Sequence, residues 1–201
     1  MPERLNGTVL KTVRGASSSG VRIPLPPFTF MQDHKVLILT GPGGSGKSTI
    51  AELLVKNCGY VLVDGDQLDT EFFPNGNQWL PENKEDLLKV HNKILFETKK
   101  HFDQGKKIVV DYIIFGDYLG FLKKFKKEFG DDFVIKVLFP SEREIIDRDI
   151  KRECYTTGAE RIKIVRKEFE KIRNKIGEEN FINTSGQTPE ETFDKYFKQM
   201  C

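Results

Sequence analysis

The sequence predicts an α/β fold: a five-stranded parallel sheet with helices on both faces, three layers in all. Two observations carry this reading of the 201-residue chain. Short, almost wholly apolar runs rich in β-branched residues alternate with longer segments whose apolar positions recur at helical spacing. The runs lack the polar alternation of a strand with one wet face, so each is covered on both faces. Strand–helix alternation then requires crossover helices and parallel neighbours.

The elements follow in order from His34. Lys35 to Thr40 is the first buried strand, Gly41 to Gly46 a glycine-rich loop, and Lys47 to Asn57 a helix with Ile50, Leu53 and Leu54 on one face. Tyr60 to Val63 is the second strand. Asn83 to Gln104 is a long helix, carrying Leu87, Val90, Ile94, Leu95 and Phe102 and stopped by Gly105. Lys107 to Asp111 is the third strand, and residues 117–129 an amphipathic helix ending at Gly130. Phe133 to Phe139 is the fourth strand. Ser141 with Glu144 forms a capping box for the next helix, and Thr157 with Glu160 another, opening a helix through Ile162, Val165, Phe169 and Ile172. Phe181 to Asn183 is the fifth strand. Thr188-Pro189-Glu190-Glu191 then starts a last helix that buries Phe193 and Phe197.

Residues 1–33 stand apart from the domain at 34–201. They hold Glu3 as the one acid against Arg4, Lys11, Arg14 and Arg22 up to Met31, a Ser-rich stretch at 17–19, and Pro24, Pro26 and Pro27. They read as a leader, an extra edge hairpin (Thr8–Leu10 with Val21–Ile23) or an interaction arm, with an organelle transit peptide as the alternative and no secretory core.

Composition excludes several classes. With 38% hydrophobic residues the chain can build a core. It has no apolar run long enough for a membrane-spanning helix. A formal net charge of +2 gives no basic stripe for tracking a nucleic-acid backbone. Cys58, Cys154 and Cys201 match neither a disulfide framework nor a zinc spacing and read as reduced thiols in a cytoplasmic protein.

Gly41-Pro42-Gly43-Gly44-Ser45-Gly46-Lys47-Ser48 matches G-x-x-x-x-G-K-[ST] at every fixed position, between a strand and a helix as that motif requires. Its glycines let successive N–H groups converge on a phosphate at the helix N-terminus. Lys47 then neutralises β- and γ-phosphate oxygens, Ser48 ligates Mg²⁺, and Thr49 lies by the α-phosphate. A guanine-specific Asn-Lys-x-Asp is missing, since Asn92-Lys93 and Asn174-Lys175 have other sequels and lie in helices. A large motor or AAA-type machine needs more chain, which leaves a compact transferase using ATP and Mg²⁺.

Asp64, Asp66 and Asp111 close the second and third strands, and in a parallel sheet those ends face the ligand crevice. They are either strand-end caps or the carboxylates that orient an acceptor hydroxyl and support the metal. Arg148 and Arg152 share a helical face between two helices. They form either a lid over the transferring phosphoryl group, within 148–161, or a solvated face paired with Glu144, Asp147 and Asp149. Phe72, Phe73 and Trp79 supply an apolar wall or plain packing, and His91 and His101 are structural.

Taken together, these residues resemble the small P-loop kinases of the nucleoside-monophosphate-kinase-like group over about residues 34–200, nearest to chloramphenicol phosphotransferase-like and polynucleotide-kinase-like domains. The resemblance implies the P-loop fold's strand order 2-3-1-4-5. It makes Asp66 the base, Asp111 a metal or acceptor ligand, and Arg148 and Arg152 the lid arginines. It also implies an adenine loop at 183–187 containing Ser185. Where polynucleotide kinases carry an arginine three residues after the base, this chain has Asp69, which disfavours nucleic acid and puts Asp69 beside the acceptor. The implied partner is a small molecule with a free hydroxyl: a sugar, nucleoside or antibiotic-like compound. The alternatives are a polynucleotide 5′-hydroxyl kinase, a toxin phosphorylating a nucleotide sugar, and a non-enzymatic ATP-binding regulatory module.

Overall fold

A computed structural model describes residues 34–74, 78, 80–114, 117–151 and 157–201. The arm at 1–33, Trp79, Arg152 and Cys154 lie outside the described residues. The sheet is parallel throughout, in the order β2-β3-β1-β4-β5. Its strands are β1 (Val36–Thr40), β2 (Val61–Asp64), β3 (Ile108–Asp111), β4 (Phe133–Leu138) and β5 (Phe181–Ile182). The helices are α1 (Lys47–Cys58), α2 (Gly65–Thr70), α3 (Lys84–Phe102), α4 (Tyr118–Phe129), α5 (Glu142–Ile150), α6 (Ala159–Ile176) and α7 (Pro189–Tyr196).

β1 is central and entirely buried, which is why its sequence shows no polar alternation. Its side chains divide between two cores. Val36 and Ile38 join Val90 and Ile94 of α3, Phe121 and Phe125 of α4, and Phe169 of α6. Leu37 and Leu39 point the other way, to Ile50, Ala51 and Leu54 of α1 and Phe193 of α7. Truncating such a leucine to alanine costs about 2–5 kcal/mol.

Two local features go beyond or against the sequence reading. Residues 65–70, given no element there, form helix α2, and the Asp64 side chain accepts the Gln67 N–H at 2.9 Å and so caps it. The second capping box does not form: α6 starts after Gly158, with no side-chain cap. The box at Thr188 is complete, with Thr188 Oγ accepting from Glu191 N–H (3.1 Å) and Glu191 Oε2 from Thr188 N–H (2.8 Å). The expectation of reduced cysteines is corrected as well. Cys58, at the end of α1, is disulfide-bonded to Cys201, 143 residues away.

Candidate active site

The phosphate loop leaves β1 at Thr40, and its glycines are required by space as well as by backbone shape. At Gly41 φ is 141°, and a Cβ there would stand 2.3 Å from the Leu138 carbonyl oxygen. On Gly43 a Cβ would meet the Thr157 hydroxyl at 2.3 Å. Gly46, at φ 96°, is the N-cap of α1 and supplies no side-chain acceptor, so the first-turn N–H groups of that helix are left for an anion. The Ser45 hydroxyl is buried without a hydrogen-bond partner. Lys47 is buried, its Nζ folded back to 3.5 Å from the Pro42 carbonyl, while Ser48 and Thr49 are exposed on the first turn of α1. A bare cradle, an orphaned hydroxyl and an uncapped helix start suit a polyphosphate.

The acidic residues have separate fates. Asp64 caps α2. Gly65 lies against the Tyr112 ring so closely that a Cβ would stand 2.6 Å from it. Asp66 follows, open to solvent at the crevice mouth and crowded by protein on its other sides. That crowding raises its carboxyl to about 6; Lys47 acts to lower it, Asp111 and Asp64 to raise it. Lys47, Asp111 and Asp64 are therefore each within electrostatic reach of Asp66. Asp111 is paired in register with Asp64 on one side and Leu39 on the other; it is buried, and its Oδ1 has no hydrogen-bond partner. Asp69 turns inward instead. Both its oxygens accept from the Gln78 amide, at 3.1 and 3.0 Å, and the Tyr112 hydroxyl stands near enough to act on its charge. Burial raises it to about 6, against these bonds and with the charge of Asp66. The sequence placed Asp69 beside the acceptor; in the structure its carboxylate is buried and held by Gln78.

A cavity of about 240 Å³ opens beside Gly46, Thr49 and Ile50, walled by Leu138, Arg148 and α7. Arg148 pairs with Glu144 and donates to the carbonyls of Thr184 (3.5 Å) and Gln187 (3.4 Å). Ser185 is spent on the scaffold: its hydroxyl accepts the Ser141 N–H at 2.7 Å and donates to Asn183 at 2.6 Å. The cavity wall from that loop is Thr184 and Gln187, with Thr192 from α7. Thr184 and Gln187 lie in the loop at 183–187 that the resemblance implied, although Ser185 was singled out there; Thr192 was missed, and the available signal was its place four residues after the Thr188 cap. Arg148 stands on this cavity; Arg152 lies outside the described residues. Among the described residues no three His, Cys, Asp or Glu side chains cluster as a metal site.

A family model described as AAA domain matches residues 36–178. The chain belongs to this AAA-domain family. The matched segment runs from β1 into the turn after α6, so the family's phosphate loop, Asp66, Asp111 and Arg148 all fall inside it. The match is to a domain, and it stands beside the expectation that a large AAA-type machine needs more chain. No curated protein matches the sequence. Among solved structures, the AAA domain is similar to a gluconokinase from Sinorhizobium meliloti 1021 (17% identity, 84% of this chain and 93% of that one, TM-score 0.55). It is similar to a sugar kinase from Janibacter sp. HTCC2649 (18%, 80% and 91%, 0.64). A shikimate kinase from Acinetobacter baumannii, in complex with shikimate, also aligns (16%, 83% and 92%, 0.58). The fold is that of small P-loop kinases.

Proposed function

We propose that this AAA domain is a phosphotransferase that moves the γ-phosphoryl group of ATP to a hydroxyl of a small-molecule acceptor, and that it does so in the cytoplasm. The supporting observation is the juxtaposition of an uncapped glycine cradle with Asp66, a carboxylate in electrostatic reach of both Lys47 and Asp111. The kinase names of the similar structures agree with it, and sugar-like alcohols are the acceptors they suggest.

MgATP supplies the transferable phosphoryl group and the metal charge that offsets it. The backbone N–H groups of residues 41–49 hold the phosphate chain, and Lys47 balances charge on its terminal oxygens. Ser48 and Asp111 would hold the metal. Asp66 orients the acceptor hydroxyl and takes its proton on a carboxylate oxygen. A carboxyl raised to about 6 is a better base near neutrality than an ordinary one. Arg148, on the cavity wall, contacts the nucleotide, and Arg152 closes over it. The loop at 183–187 supports the base through Thr184 and Gln187, with Ser185 holding that loop's shape.

The test is a labelled-ATP screen over sugars, nucleosides, antibiotics and oligonucleotide 5′ ends, run on the wild type and on Lys47→Ala. Transfer to a small-molecule alcohol by the wild type and none by the variant is expected. Transfer to oligonucleotides alone would replace the acceptor class, and tight ATP binding without transfer to any acceptor would favour a regulatory module.

A further inference from the structure

One carboxylate beside the phosphate loop has no part in the chemistry above. Asp149 is 2% exposed. It shares the inner face of α5 with Ile145, and that face lies on the loop. A Cβ on Gly44 would stand 3.0 Å from the Ile145 carbonyl oxygen and 3.7 Å from Asp149 Cβ. Asp149 Oδ1 accepts the Thr157 N–H at 3.0 Å, and Oδ2 accepts the Gly158 N–H at 2.9 Å. Held this way, Thr157 puts its hydroxyl where a side chain on Gly43 would begin. The loop is thus gripped on two sides, at Gly44 by α5 and at Gly43 by Thr157, and Asp149 joins the two grips.

A carboxylate does not attract phosphates, and the bonds of Asp149 to Thr157 and Gly158 supply a different role. We infer that Asp149 is a positioning residue for nucleotide binding: it fixes Thr157 against Gly43 and so holds the phosphate loop in its receptive shape. This rests on the nucleotide reading above.

The experiment measures equilibrium binding of ATP, ADP and AMP with Mg²⁺ to the full chain, as wild type, Asp149→Asn and Thr157→Ala. Asparagine keeps the shape, removes the charge and leaves one acceptor for two N–H groups. Losing one charge-assisted bond at the clamp should weaken ATP and ADP about tenfold and leave AMP within about twofold. If charge alone mattered, Asp149→Asn would bind ATP more tightly; tighter or unchanged binding overturns the inference. Equal weakening of all three nucleotides with a lowered melting temperature indicates a merely structural role and also overturns it. Should Asp149→Asn fail to fold, Thr157→Ala decides, with a smaller loss in the same order expected and no loss fatal. A wild type that binds no nucleotide sinks the nucleotide reading and the inference with it, whereas a binding wild type with unaltered variants sinks the inference alone.

Discussion

Replacing His91 by leucine should stabilise the protein, and by more in acid than at neutrality. The ring sits on α3, 1% exposed, with its centroid 4.7 Å from Phe121 and 6.0 Å from Tyr112 in edge-on contacts. Neither nitrogen has a hydrogen-bond partner. Burial lowers its pKa from the ordinary 6.5 to about 4, Lys124 adds to the lowering and Asp117 opposes it. Because the folded value lies below the unfolded one, the unfolded chain takes up the proton first as pH falls. Stability is therefore lost between 6.5 and about 4, by an amount on the order of 3 kcal/mol. Near pH 7 the variant gains the roughly 1–3 kcal/mol that an unsatisfied buried group costs. It gives back about 0.5–1.5 kcal/mol per aromatic contact, so the net change there is small. Urea unfolding at about pH 7 and about pH 4.5 measures the difference, and the advantage of His91→Leu should grow by roughly 2–3 kcal/mol in acid. The wild-type comparison cancels the opposite trend from the raised carboxyls of Asp66 and Asp69. An advantage equal at both pH values would refute the account of a buried neutral imidazole.

If Asp66 is the base, kcat/KM should rise with pH through a limb near 6, since the carboxylate and not the acid accepts the proton. Asp66→Asn should lower turnover and erase that limb while nucleotide binding stays, whereas Asp69→Asn should keep the limb; single-turnover pH profiles decide between them. Gly41→Ala combines a 2.3 Å clash with the Leu138 carbonyl and a φ of 141°, so it should cost about 2–5 kcal/mol in chemical denaturation. Gly59→Ala, at φ 69° with open space around it, should cost only about 1–2 kcal/mol.

The legible features are those whose chemistry is local. The glycine loop shows itself because its motif is contiguous and Gly41, Gly44 and Gly46 each answer a positive φ at their own position, and the Thr188 cap because donor and acceptor are three apart. Buried strands advertise themselves by unbroken apolar runs. What could not be read depends on partners distant in the chain. Asp69 reads as an acceptor ligand from its spacing, and its bond to Gln78, nine residues on, is not visible there. Thr157 looked like a helix cap, yet its N–H goes back to Asp149 and its hydroxyl to the face of Gly43. Ser185 belongs to the start of α5 more than to the cavity, and no spacing rule joins Cys58 to Cys201.

That last pair bears on where this protein is safest. The bridge closes a ring that spans β2 to β5 and ties α1 to the segment beyond α7, where Lys107 also grips the carbonyls of Met200 and Cys201. Chain-entropy reasoning for a loop of this size assigns the link about 5 kcal/mol, a large share of what holds an ordinary domain together. Glutathione-rich surroundings would strip that reserve away, so the same polypeptide would exist in a sturdy and a frailer form according to the electron supply around it.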